Sequence, residues 1–210
     1  ALKVTPAWMA LTFLARRDLG SLLRSVAAAV GLTAAAWLVA APASAAFWGS
    51  LLWDPSRVGD IAYADNQSLA GLVARLGLVG TPGAAIRWLA SGAVVVVAAV
   101  AVRRRRADPD PLALVTAIGL GWLLVAPISW THHWCWLLTY LALLLRQRRR
   151  GAVALATVLA TVLAVEPLVV AGAVEGLPTP VRALAVSGYT VVGLLALVRL
   201  ARPGRADRRS

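Results

Sequence analysis

Apolar residues fall along this chain in long blocks, each closed by a short polar or basic stretch. Six blocks, Leu22–Ala41, Thr81 up to Arg103, Leu112–Ile128, Trp134–Leu145, Ala152–Ala171 and Val181–Leu200, are predicted as membrane-spanning helices. Ahead of them Val4–Ala15 is apolar but falls short of the roughly 20 residues a full span needs. It is predicted as the tail of a truncated span, opened by Lys3-Val4-Thr5-Pro6 with the proline acceptable in a first turn. The fold class expected is an all-α polytopic integral membrane helix bundle of six full spans plus that truncated N-terminal one.

The connections sort by charge. Basic clusters at 16–24, 103–106, 146–150 and 199–209 recur at every second turn, which predicts that those turns are cytoplasmic. The connections 43–80, 129–133 and 173–180 are then extracytoplasmic. Domain organisation follows: a transmembrane domain over 1–201 carrying an extracytoplasmic loop at 43–80, and a basic cytoplasmic tail at 202–210. Within the long loop, Leu69, Leu72, Val73 and Leu76 recur at helical spacing up to Gly77, with Asp65 or Asn66 as the expected cap. That short helix either lies on the membrane surface or holds Asn66, Gln67 and Ser68 over a groove between spans.

Composition agrees with the patterning. The chain is 60% hydrophobic over 210 residues, more than a soluble domain of that length can hide. The net charge of +12 sits in the topogenic clusters, without the interleaved aromatics of a nucleic-acid surface, so no nucleic-acid partner is expected. A single cysteine, Cys135, excludes a disulfide framework. The chain enters an apolar run at once from Ala1, with no basic n-region and no small-residue cleavage site. No signal peptide is predicted, and the chain is expected to be part of a longer protein.

Candidate chemistry gathers on the predicted outer face. Six of the nine tryptophans, Trp48, Trp53, Trp88, Trp130, Trp134 and Trp136, lie in or beside the outer connections, as an aromatic-lined groove or an interfacial belt requires. His132 and His133 are the two histidines of the chain. On a helix, neighbours point about 100° apart, and no third histidine exists, so a zinc site is not expected. Phosphate contact, proton transfer and plain structural hydrogen bonding remain open for the pair. Glu166 is the one acidic residue inside a predicted span, about 22 Å along its helix at 1.5 Å per residue, at a depth near that of the histidines. Pro167 follows it, so a structural role at a helix distortion stays open too. Lys3, Arg57, Arg75 and Arg87 are basic residues predicted outside, able to neutralise a lipid phosphate or to snorkel.

Asn66-Gln67-Ser68-Leu69 together with Pro127-Ile128-Ser129-Trp130-Thr131-His132-His133-Trp134 resembles glycosyltransferase family 87, integral-membrane mannosyltransferases of the GT-C class. The resemblance covers the C-terminal part of a family member. It implies transfer of a hexose, most simply α-linked mannose, from a polyprenyl-phosphate donor to a glycolipid or lipoglycan acceptor such as a phosphatidylinositol mannoside or lipomannan. The work would be done at the extracytoplasmic face of a multi-pass cell-membrane protein surrounded by membrane lipids. On that pattern His132 and His133 face the lipid phosphate or the acceptor. Asn66, Gln67, Ser68, Ser129, Trp130, Trp134, Lys3 and Glu166 line the substrate site. The catalytic aspartate belongs to a first outer loop in the N-terminal half, outside this chain; Asp60 and Asp65 are not assigned that role. No cofactor or metal is implied beyond the lipid-linked sugar. The alternative is a non-catalytic transporter or scaffold subunit handling lipid-linked sugars; a transporter is expected to carry internal repeats, and no convincing repeat is seen.

Overall fold

The computed structural model describes residues 5–52, 54, 59–147 and 150–203, with the backbone alone for residues 5 and 6. Lys3 and Arg57 lie outside the described residues. The chain divides into two compact units, residues 1–60 and 61–210. The boundary falls inside the long connection.

In the first unit a 3-10 turn leads into α1 (Ala10–Ala15) and then α2 (Leu19–Val39). Asp18 caps α2 by accepting from the Ser21 amide at 2.9 Å. The Ser21 hydroxyl and amide together hold the Asp18 carboxyl below its ordinary range. α2 is long and apolar enough to cross a membrane and buries none of its residues. An apolar helix with no buried residue needs lipid or another chain around it. Pro42 sits in the first turn of α3 (Ala41–Ala46), and a π-helical turn, Phe47–Leu51, follows.

The second unit holds the bundle. α4 (Leu69–Arg75) precedes the long α5 (Gly80–Arg105), α6 (Leu112–Val125), α7 (Trp136–Arg146) and α8 (Arg150–Ala164). α9 (Pro167–Ala173), α10 (Thr179–Val186) and α11 (Gly188–Leu200) complete it. α6 is central: Leu114, Leu120, Leu123 and Leu124 are essentially inaccessible, and α5, α7 and α11 pack around them. Glycine lets those helices close. A Cβ on Gly119 would lie 2.5 Å from the Trp136 ring, and one on Gly121 2.9 Å from Ala98 Cβ. The Thr116 and Thr139 hydroxyls meet at 2.7 Å between α6 and α7; one donates to the other, and the acceptor's own proton is free for a carbonyl of its own helix.

One end of this bundle is basic. Arg104 and Arg105 donate to the carbonyls of Ala201, Leu200 and Arg202 at the C-terminus of α11. These are the carbonyls a helix leaves open, and the guanidinium groups also answer the negative end of its dipole. Asp110 bonds Arg146 across the same end. The clusters at 103–106, 146 and 199–202 therefore share one face, as the alternation of charge requires.

The spans differ from the sequence expectation. Among the described residues two helices, α2 and α5, are long and apolar enough to cross a membrane; α8–α9 and α10–α11 add two more when each bent pair counts as one span. α6 stops at Val125, three residues before the expected end, because Pro127 ends it. The expected span Ala152–Ala171 bends by 83° at Pro167, and Val181–Leu200 bends by 68° at Ser187. α4 does not lie on a surface: Leu69, Ala70, Gly71 and Val73 are buried against the bundle. Its cap is Ser68, which accepts from the Gly71 amide at 3.1 Å, rather than Asp65 or Asn66.

Candidate functional site

Three interruptions in the second unit free backbone groups that a membrane interior cannot hydrate. Each is repaired by a side chain. Pro127 has no N–H for the carbonyl of Leu123, four residues back, and the Ser129 hydroxyl takes that carbonyl at 2.7 Å. Pro167 leaves the carbonyl of Leu163 open in the same way, and the Tyr189 hydroxyl donates to it at 3.2 Å. At the α10–α11 break the Gln67 amide serves both broken strands of the ladder. Its Nε2 donates to the Val186 carbonyl at 2.8 Å, and its Oε1 accepts from the Tyr189 amide at 3.2 Å.

The Asn66–Ser68 segment ties these repairs together. Asn66 Oδ1 accepts from the Ser129 amide at 3.0 Å, while Nδ2 donates to the carbonyls of Ile61 and Pro127. Ser68 Oγ donates to Pro127 as well, at 3.1 Å. The Gln67 amide donates to the Ser129 carbonyl at 2.9 Å, within an isolated antiparallel bridge between Asn66 and Trp130. The Gln67 carbonyl accepts from the Thr190 hydroxyl at 2.6 Å. Asn66, Gln67, Ser68 and Ser129 are fully buried. Their polar atoms are thus spent on the protein's own backbone, and the geometry gives them the work of fixing the Pro127–Trp130 corner. The family resemblance implies substrate contact for them; in this arrangement their side chains face the protein's own backbone.

That corner presents the histidines. Residues Thr131–Cys135 form a 3-10 turn, with the His133 amide donating to the Trp130 carbonyl at 2.8 Å. The two imidazoles are 4.3 Å apart between centroids with planes at 64°, closer than the divergence expected of helical neighbours. His132 is exposed and His133 half-buried. Among the described residues no group of three or more His, Cys, Asp or Glu comes together as a metal cage would need. Trp134 anchors the turn from below. It is buried, its indole N–H donates to the Ser129 carbonyl at 3.4 Å, and its ring meets Tyr189 edge-on at 6.2 Å. Gly193 makes the room, since a Cβ there would lie 2.5 Å from Trp134 Cζ3. Trp130 is half-buried and packs edge-on against the exposed Tyr63 at 6.0 Å.

Among charged groups, Arg75 is tied to the Asn66 segment. Arg75, on the last turn of α4, donates twice to the Ser187 hydroxyl (3.2 and 2.8 Å) and once each to the carbonyls of Tyr63 and Asn66, both at 2.9 Å. All of these partners are neutral, and burial lowers the guanidinium to about 10, so it remains cationic at neutral pH. Asp65 Oδ1 is inaccessible and has no hydrogen-bond partner among the described residues. Asp65 and Glu166 both lie within electrostatic reach of Tyr189. Glu166 is exposed at the α8–α9 corner, in the cap position before Pro167. The straight-helix count of its depth holds only to Ala164, where the bend begins. Arg87 lies over the ring of its neighbour Trp88, 5.2 Å from the centroid. A narrow apolar cleft of about 230 Å³ opens between the two bent pairs, lined by Val165, Pro167, Val186 and Tyr189 among others.

Tyr189, Ser187 and the buried Arg75 contacts are the parts that periodicity did not disclose. Ser187-Gly188 is the one local signal, a weak helix pair in the middle of an apolar block.

The profile of glycosyltransferase family 87 matches residues 1–127. The match includes Asn66–Ser68 and ends at the proline that opens the histidine corner. A polyprenol-phosphate-mannose-dependent alpha-(1-2)-phosphatidylinositol mannoside mannosyltransferase of Mycolicibacterium smegmatis is 36% identical over 161 residues, covering 72% of this chain and 36% of that protein. The protein so named from Mycobacterium tuberculosis is 34% identical over 167 residues, covering 78% and 39%. A phosphatidylinositol pentamannoside mannosyltransferase of M. smegmatis is 31% identical over 144 residues, covering 69% and 35%. The chain spans well under half the length of these relatives. No solved structure matches it. With the family profile covering more than half of its residues, this chain belongs to glycosyltransferase family 87.

Proposed function

We propose that this chain forms the C-terminal part of a membrane mannosyltransferase that takes mannose from a polyprenyl-phosphate donor and places it on a phosphatidylinositol mannoside or related lipoglycan. The observation that carries the reading is family membership together with relatives named for that donor and that acceptor class. The charge alternation supports an extracytoplasmic site in the cell membrane, because the basic clusters share the end of the bundle away from the histidine corner.

In the reaction the acceptor hydroxyl oxygen bonds to the anomeric carbon, the bond from that carbon to the phosphate oxygen breaks, and polyprenyl phosphate leaves with the electron pair. A base must take the acceptor proton. On the family pattern that base is an aspartate outside these 210 residues. His132 and His133 are assigned to the leaving phosphate, as hydrogen-bond donors or as a proton source where charge develops. Trp130 and Tyr63 supply aromatic faces for the sugar, and Trp134 and Ser129 hold the turn in place. Glu166 is assigned to the rim of the same site; a substrate role for Lys3 rests on the family resemblance alone. Asn66, Gln67 and Ser68 are assigned to its support rather than to direct sugar contact. No resident cofactor or metal is invoked.

The test is transfer of labelled mannose from polyprenyl-phosphate-mannose to phosphatidylinositol mannosides by membranes carrying the full-length gene product, against membranes lacking it. Transfer that depends on the gene supports the assignment. Equal transfer by both membranes sinks it.

A further inference from the structure

We infer that Gln67 is a positioning residue, whose side chain ties the α10–α11 break to the turn that carries His132 and His133. It replaces a missing peptide unit. In an unbroken helix the Val186 carbonyl and the Tyr189 amide would each find a partner one turn away. With the chain bent by 68° at Ser187, the Gln67 amide supplies the donor for one and the acceptor for the other. Its second Nε2 hydrogen goes to the Ala64 carbonyl at 2.7 Å. Both of these bonds across the bend are therefore drawn from one side chain, fully buried.

The backbone of the same residue holds the other structure. The Gln67 amide donates to the Ser129 carbonyl, the same oxygen that receives the Trp134 indole, and its carbonyl takes the Thr190 hydroxyl. Trp134 packs in turn on Tyr189 and in the notch at Gly193, both on α11. A change in the bend thus reaches the histidine turn by two routes, through the Gln67 backbone and through the Trp134 ring. Arg75 reinforces the bend from outside by holding the Ser187 hydroxyl. Gln67 itself touches no reacting atom; it acts through His132 and His133.

The kinetic arm of the test rests on the mannosyl-transfer reading, and a structural arm does not. Cys135 is exposed and sits at the end of the histidine turn, its thiol near the His133 carbonyl. Its rate of labelling by a small maleimide reports the geometry of that turn, with Cys135→Ser in the full-length protein as the blank. Gln67→Met keeps length and removes every hydrogen bond of the side chain. Gln67→Glu keeps the acceptor for Tyr189 and loses both donors until its carboxyl takes a proton.

In Gln67→Met, Cys135 labelling is expected to change by about threefold or more, and kcat to fall about tenfold or more with KM for the donor within about threefold. In Gln67→Glu, turnover relative to wild type is expected to recover as pH falls from about 8 to about 6, because the protonated acid restores one donor. If Gln67→Met fails to reach the membrane, the Glu variant carries both arms. Labelling and kcat both at wild-type values overturn the inference. So does a loss of activity that appears in KM alone or a Gln67→Glu pH profile parallel to wild type. If the wild-type protein transfers no mannose, the function proposed above fails and the labelling arm alone decides this one.

Discussion

Replacing Asn66 with leucine offers a sharp test of the support structure. The side chain is fully buried and makes four hydrogen bonds. Leucine has similar volume and none of that chemistry. Pro127 keeps one partner, because the Ser68 hydroxyl still reaches its carbonyl. The Ser129 amide, the Ile61 carbonyl and the Ser68 amide lose the Asn66 side chain as a partner. Leaving a buried backbone group without a partner costs roughly 1–3 kcal/mol, and the Ser68 contact is long, so the strong losses are two and the expected penalty is about 2–6 kcal/mol. Asn66→Asp separates shape from chemistry. It keeps the acceptor for Ser129 but turns the donor into an oxygen facing two carbonyls, with a buried charge besides. Thermal unfolding of the detergent-solubilised full-length protein, followed by size-exclusion recovery after heating, reads both. Both variants are expected to lose stability, with the aspartate improving as pH falls and its carboxyl protonates. An Asn66→Leu protein as heat-resistant as wild type would show that the hydrogen bonds at this corner do not hold it.

Other substitutions probe separate joints. Gly193→Ala is expected to displace the Trp134 ring, since the new methyl would stand 2.5 Å from it; quenching of tryptophan fluorescence should rise as the indole is exposed. Tyr189→Phe removes the hydroxyl that replaces the amide lost at Pro167, and a stability loss of about 1–2 kcal/mol is expected from the orphaned Leu163 carbonyl in an unfolding titration. At the basic end the Leu112 amide first, and Arg146 with it, hold the Asp110 carboxyl below its ordinary range. A carboxyl with a lowered folded-state pKa contributes stability above its unfolded value and loses it as pH falls through the folded one. Asp110→Asn is therefore expected to make the protein less pH-sensitive below about pH 4, read by unfolding at a series of pH values.

The sequence made the bundle legible through the length of its apolar blocks, and the shared basic end through the recurrence of arginine. The helix of Leu69–Arg75 was legible from Leu69, Leu72 and Val73, and Gly77, at φ +76°, ends it. What periodicity could not give was the bends. Pro127 and Pro167 announce an interruption, but neither states its angle. Ser187 breaks α10 from α11 without a proline, because Gln67 and Arg75, more than a hundred residues earlier in the chain, stabilise the broken form. Residue type alone made Asn66, Gln67 and Ser68 attractive for sugar binding. Only three-dimensional pairing reveals that the amides answer backbone groups exposed by broken helices. The histidine pair was visible as a motif, whereas its edge-on closeness depends on the 3-10 turn and on Trp134 beneath it.

The histidine turn is proposed as one wall of a mannosyl-transfer site, held in place by the Asn66–Ser68 segment. Its most direct test is transfer of labelled mannose from polyprenyl-phosphate-mannose to phosphatidylinositol mannosides by the full-length protein carrying His132→Ala or His133→Ala, with folding monitored by size exclusion. Transfer is expected to fall by about tenfold or more in at least one variant with folding intact. Wild-type transfer in both would contradict it.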